Sequence, residues 1–203
     1  MSLSSRLALP LLLCATAASA QNLLTNAGAE TGDLSGWTVG GDASVRVDTG
    51  TFNPGINPLE GGYAFLGGNG AFGSLTQTVA IAAGSAMANV SFWEQGLNQG
   101  SPSDHAYVSL SFLDGANAVL QTVATPAVDS HLGSWQQYSG SFAIPTGTVK
   151  IAYTMNFVRS VGSDLDGYID NNLLTVSAVP EPSVTALLLS AGLLLAVLKR
   201  RRS

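Results

Sequence analysis

The side chains in this chain that could carry out chemistry are few. His105 and His131 are the only histidines, and the single cysteine, Cys14, sits in an apolar N-terminal run. Asp104 neighbours His105 only along the chain, and the histidines lack the spacing of a metal pair. No Gly-x-Ser-x-Gly elbow leads into a helix, so a Ser-His-Asp site would need three distant residues to converge. Glu60 and Glu94 can be nominated for glycosidic cleavage, which takes two carboxylates about 5–9 Å apart in a cleft, but nothing singles them out. Asp164-Leu165-Asp166-Gly167 starts like a calcium loop, yet Thr175 stands where the closing glutamate belongs and no helix flanks it. We read that step as a solvated loop. The chain reads as non-catalytic.

Binding chemistry is better represented. Trp93 falls out of phase with Ala88, Val90 and Phe92, and Tyr107 out of phase with Val108, Leu110 and Phe112. Both rings therefore point away from the core side of their strands. If the two strands are neighbours, the rings share a polar sheet face with Asn89, Ser91 and Ser109, where sugar C–H faces stack on aromatic rings. The opposing reading places Trp93 at a strand end, covering a loop. Trp37, after Ser35-Gly36, reads as core, and Trp135 fits either role.

The elements that position these residues are strands. Along 149–157, Val149, Ile151, Tyr153, Met155 and Phe157 alternate with Lys150, Ala152, Thr154 and Asn156. The same period of two runs through 106–112 and 87–92, and marks a strand with one face in a core. Shorter strands are predicted at 45–48, 63–66, 75–81, 119–123, 136–142 and 168–176. Turns such as Asn53-Pro54-Gly55 and Asp114-Gly115 separate them. No helical apolar pattern appears between 21 and 178. The prediction is an all-β, two-sheet jelly-roll sandwich.

Both ends of the chain carry targeting features. Residues 1–20 hold one positive charge, Arg6, an apolar stretch, and Ala18-Ser19-Ala20 before Gln21, which reads as a signal peptide cut after Ala20. Leu13 is too large to precede a lipoprotein cysteine at Cys14. Within 21–178 three basic residues face twelve acidic ones, a net charge of −9. Nucleic acid and anionic surfaces are poor partners for such a domain; calcium is a natural one. With no cysteine left after residue 20, core packing or a metal must stabilise it.

The C-terminus has three parts: Val179-Pro180-Glu181-Pro182, an uncharged run at 184–198, and Lys199-Arg200-Arg201-Arg202. The run would form a single transmembrane helix about 22 Å long, with its cations on the cytoplasmic side. This tail (179–203, with the basic stop at 199–202) closely resembles the PEP-CTERM sorting signal of Gram-negative bacteria. The resemblance implies an exosortase partner that recognises Pro180, Glu181 and Pro182. It also implies a transient inner-membrane anchor and delivery to the cell surface or extracellular matrix.

A second resemblance brackets 21–178. The opening Asn22 to Trp37, the stretches Glu60-Gly61-Gly62-Tyr63-Ala64-Phe65-Leu66 and Leu75-Thr76-Gln77-Thr78-Val79, and the ending Tyr168-Ile169-Asp170-Asn171 resemble galactose-binding-like carbohydrate-binding modules. In those modules the first and last strands meet at a structural calcium, and the matching positions here are Glu30 and Asp170. Asp48 is a candidate third carboxylate. The alternative is that Glu30 caps a turn and Asp170 accepts nearby backbone N–H groups. The resemblance implies an exported module that binds exopolysaccharide or another matrix glycan. The competing expectations are a purely structural matrix protein and, less favoured, a polysaccharide hydrolase.

Overall fold

A computed structural model of the protein describes residues 21–42, 44–97, 104–127 and 133–178. The signal segment with Ala20, His131, and the tail with Pro180, Glu181, Pro182 and the run at 184–198 lie outside the described residues.

Among the described residues, alternating side chains yield ten strands: β1 Thr38–Gly41, β2 Arg46–Asp48, β3 Ala64–Asn69, β4 Phe72–Ala80, β5 Ser85–Gln95, β6 His105–Leu113, β7 Val119–Ala124, β8 Gln136–Ala143, β9 Lys150–Val158 and β10 Asp164–Ala178. They form two five-stranded antiparallel sheets, ordered β1-β4-β9-β6-β7 and β2-β3-β10-β5-β8. The predicted two-sheet, all-β sandwich is the observed architecture. Consecutive strands β5 and β6 belong to different sheets, so the chain crosses the sandwich between them.

Apolar side chains on the inner faces interdigitate into one core. Val108, Leu110 and Phe112 of β6 and Ile151, Tyr153, Met155 and Phe157 of β9 meet Val90 and Phe92 of β5 and Phe65 of β3. Trp37 lies in this core as expected, edge-on to Phe65 at 5.4 Å and to Tyr153 at 6.1 Å between ring centroids. The Tyr153 hydroxyl, buried so deeply that its pKa rises well above the ordinary phenol value, donates to Asn172 Oδ1 at 2.8 Å.

A second, smaller cluster lies outside the second sheet. Ile56 from the connection between β2 and β3 folds over Ala64, Leu66 and Tyr168, with Phe52, Leu97 and Trp135 packed against them. Trp135 closes the edge by donating its indole N–H to the Asn57 carbonyl at 3.0 Å.

The structure corrects one sequence assignment. Asp164-Leu165-Asp166-Gly167, expected as a solvated loop, opens β10 and pairs with Asn69 and Gly68 of β3. Leu165 is fully buried, packed against Gly67, where a Cβ would collide with the Leu165 methyl. The Asp166 carboxylate is also buried and accepts from the Asn53 amide at 2.8 Å, while its backbone N–H donates to Asp104. Burial holds the Asp166 carboxyl above the ordinary carboxylate range, and the nearby Asp104 and Asp164 charges push the same way.

Candidate functional site

Glu30 sits at the tip of a self-bonded loop. The Asn26 amide donates to the carbonyls of Asp33 and Ser35 at 3.0 and 3.2 Å, and its Oδ1 accepts from the Thr31 N–H. Thus braced, the loop presents the Glu30 carboxylate to the backbone N–H groups of Gly62 (3.0 Å) and Tyr63 (3.2 Å). Asp170 comes from the opposite end of the chain, on β10. Its Oδ2 accepts from Leu59 and Glu60 N–H at 3.0 and 3.3 Å, and its Oδ1 from Asn171 N–H at 2.6 Å.

The two carboxylates line one cleft of about 370 Å³ with Gly28, Glu60, Gly61 and Asn171. Asp170 is only 1% exposed. Burial is the main reason its pKa rises to about 6; the backbone donors oppose that rise and the Glu30 charge reinforces it. The backbone is strained around this cleft. Of the four non-glycine residues with positive φ among the described residues, Ala29 (62°) precedes Glu30, Asn171 (50°) follows Asp170, and Asn26 (47°) braces the loop. Strained backbone of this kind collects at ligand clamps, where surrounding contacts hold it in place. Gly61 is left-handed as well, and a Cβ there would strike the Glu30 carboxylate.

The arrangement suits a hard cation. A buried carboxylate, Asp170, and an exposed one, Glu30, offer oxygen donors in a strained cleft, with neither sulfur nor imidazole. Among the described residues, no group of three or more His, Cys, Asp or Glu side chains is placed to hold a metal. Glu30, Asp170 and Glu60 all line the cleft but are not placed to hold one ion together, so a cation held by Glu30 and Asp170 would complete its shell with backbone carbonyls or water.

Asp48, expected as a third carboxylate, does not line the cleft. Its carboxylate turns back on its own loop, accepting from the backbone N–H groups of Gly50, Thr51 and Phe52 at 3.1–3.3 Å. An aspartate ending a strand before Thr-Gly-Thr caps the following turn more readily than it reaches a distant site. The cleft's other contributors escaped sequence reasoning. Glu60 accepts from the Asn171 amide at 3.1 Å, and Asn172 ties the ends together, donating from its amide to the Ala27 carbonyl at 2.8 Å. Glu60 and Glu94 do not converge: Glu60 is exposed at the cleft, whereas Glu94 is buried on the inner side of β5.

Trp93 and Tyr107 both point away from the core, as their phase predicted, and both are half-buried. They do not share a face. β5 and β6 lie in different sheets, so the two rings look out from opposite sides of the sandwich. The Tyr107 face is a field of small polar groups. Thr76 and Thr154 hydroxyls bond at 2.9 Å, Ser111 bonds Thr122 at 2.9 Å, and the Asn156 amide donates to Ser109 at 3.0 Å. Tyr107 stacks on His105 at 6.4 Å between centroids. On the Trp93 face, the Gln137 amide donates to Ser91 at 3.1 Å and the Ser141 hydroxyl to Asn89 at 2.7 Å.

Solved structures with a similar architecture include carbohydrate-binding modules. A family 61 carbohydrate-binding module, solved with β-1,4-galactotriose, is 25% identical with a TM-score of 0.55, covering 77% of this chain and 99% of its own. The fold is shared with carbohydrate-binding modules. A family 22 xylan-binding domain from Paenibacillus barcinonensis is 16% identical with a TM-score of 0.55, over 81% of this chain and 99% of that domain. The enzymatically active domain of tailspike protein 4 from bacteriophage CBA120 aligns over 77% of this chain (19% identity, TM-score 0.57), but this chain spans only 21% of the tailspike chain. No protein-family model matches the chain, and no curated protein matches it.

Proposed function

We propose that residues 21–178 form an extracellular, non-catalytic module that binds a neutral matrix glycan. The observation that carries this reading is the fold shared with carbohydrate-binding modules, 25% identical over 77% of the chain in one case. The outer face of the first sheet suits the task. Tyr107 offers a ring for the C–H side of a sugar, and hydroxyls already fixed by lateral hydrogen bonds meet its O–H groups at little entropic cost. Glu60 and Glu94 face different spaces, which supports binding over cleavage.

Calcium at Glu30 and Asp170 would neutralise two converging carboxylates and tie the first loop to the last strand, a structural rather than chemical role. The signal segment ending at Ala20 and the Pro180-Glu181-Pro182 tail support export, a transient inner-membrane stay and exosortase-dependent sorting to the surface of a Gram-negative cell.

Retention of the detergent-purified full-length chain on immobilised β-1,4-galactan and xylan tests the binding. Tyr107→Ala should lose retention while folding normally; a chain retained on neither polysaccharide would instead be a structural matrix component. For sorting, replacing Pro180-Glu181-Pro182 by alanines should strand the chain in the inner membrane. Deleting 184–203 should release it to the periplasm. Normal surface delivery of both variants would exclude the sorting role.

A further inference from the structure

The outer face of the second sheet repeats the chemistry of the first. Along β5, Met87, Asn89, Ser91 and Trp93 alternate with the core residues Ala88, Val90 and Phe92, and the ladder sets them beside Ser139, Ser141 and Gln137 of β8. On the other side, Leu173 of β10 stands opposite Ser91 and is 38% exposed. Asn89, Ser91, Ser139, Ser141 and Leu173 line an open groove of about 330 Å³, within the roughly 300–1,000 Å³ of ligand clefts. Trp93 stands between Asp170 and Gln137, at the end of the groove where the Ile56 cluster begins to cover the sheet.

Both faces are largely uncharged, the exception being Asp170 beside Trp93 at the end of the groove. The domain carries a net of −9, yet no acidic residue lines the groove or the Tyr107 face, where Lys150 lies at one end and His105 at the other. Amides and hydroxyls tied to one another, with an aromatic ring at the side, match a neutral polysaccharide; an anion would meet repulsion and a cation would find no partner. The faces look away from each other across a core about 10 Å thick, so one short stretch of polysaccharide cannot contact both.

We propose that the module is bivalent, gripping one neutral glycan strand on the Tyr107 face and a second on the Trp93 face, and so cross-links matrix polysaccharide without covalent chemistry. This rests on the glycan-binding reading above. The two rings on opposite faces, each in a fixed polar field, are the juxtaposition that makes it a bridge.

Calorimetric titration of the full-length chain, held in detergent, with β-1,4-galactotriose counts the sites directly, because a trisaccharide is too short to span two faces. Two trisaccharides per chain are expected. Trp93→Ala and Tyr107→Ala should each reduce the count to one, and the double variant to none. Should Trp93→Ala unfold, Ser139→Arg serves instead, since Ser139 is exposed and its bulk would fill the groove without touching the core. One site that Tyr107→Ala abolishes and Ser139→Arg leaves intact overturns bivalence while keeping the glycan reading. No site at all overturns the glycan reading itself.

Discussion

Across the first sheet, β4, β9 and β6 bury one side chain and turn the next to solvent along most of their length. In the second sheet, β3 and the start of β10 bury both. The difference comes from the connection between β2 and β3, which lays Phe52 and Ile56 over Ala64, Leu66 and Tyr168. A sheet covered on its far side gains a rigid margin, and the loops anchored there can hold an acidic cleft in shape. A sheet left bare keeps a broad polar surface. One region is built as a rigid margin around the acidic cleft, and the other leaves a broad polar surface open.

Adjacent residues of β3 measure this contrast most strongly. Phe65 enters the main core and Leu66 the outer cluster, both with no exposed surface. Phe65→Ala should cost about 3–5 kcal/mol in chemical denaturation, loosening both sheets. Leu66→Ala should cost about 2–3 kcal/mol and raise hydrogen exchange chiefly in 49–63, leaving β6 and β9 protected. Equal loosening of all strands in both variants would mean the cover is no separate unit.

The acidic cleft comes next. With its folded pKa near 6 against an ordinary 3.8, Asp170 favours folding most below pH 4. As pH rises through 6 the folded state must give up a proton the unfolded chain has already lost, and that contribution disappears. In chelator, Asp170→Asn should therefore gain on the natural chain by up to about 3 kcal/mol between pH 4 and 7. Calcium at a hundredfold excess over its Kd should close most of that gap at pH 7, adding ~2.7 kcal/mol and roughly 6–10 °C to the natural chain alone. A melting temperature indifferent to chelator at pH 7 removes calcium from the account.

Asp48→Ala sharpens the assignment. It should lose about 1–2 kcal/mol through its turn contacts while the calcium shift stays whole. A lost shift would return Asp48 to the ion. The smallest effect belongs to the bare sheet: Tyr107→Ala should change stability by less than about 1 kcal/mol, since its ring covers none of the core.

These contrasts explain what the sequence disclosed. Alternation placed Trp93, Tyr107 and the inner faces of β5, β6 and β9 correctly, because each of those strands has one wet side. It failed where both sides are buried, so β10 was expected four residues too late. It also passed over β1, whose four residues include two glycines and no buried side chain. Periodicity also carries no information on strand partners, which is why the rings of β5 and β6 could be imagined side by side. Glu30 and Asp170 are drawn together from opposite ends of the chain, and only the resemblance to known modules suggested their meeting.

That meeting also governs when the protein can fold. β10 is the middle strand of its sheet, flanked by β3 and β5, and beyond β3 it takes up the opening of the described domain: Leu23 N–H bonds Leu174, and the Asn22 side chain grips Asn172 and Leu174. The second sheet thus lacks its centre until residues 164–178 have been made, and residues 22 and 23 have nowhere to dock before then. Closure waits on long-range pairing, the slow step for β-sandwiches of non-local topology. Until its last strand arrives, the second sheet stays open at its middle.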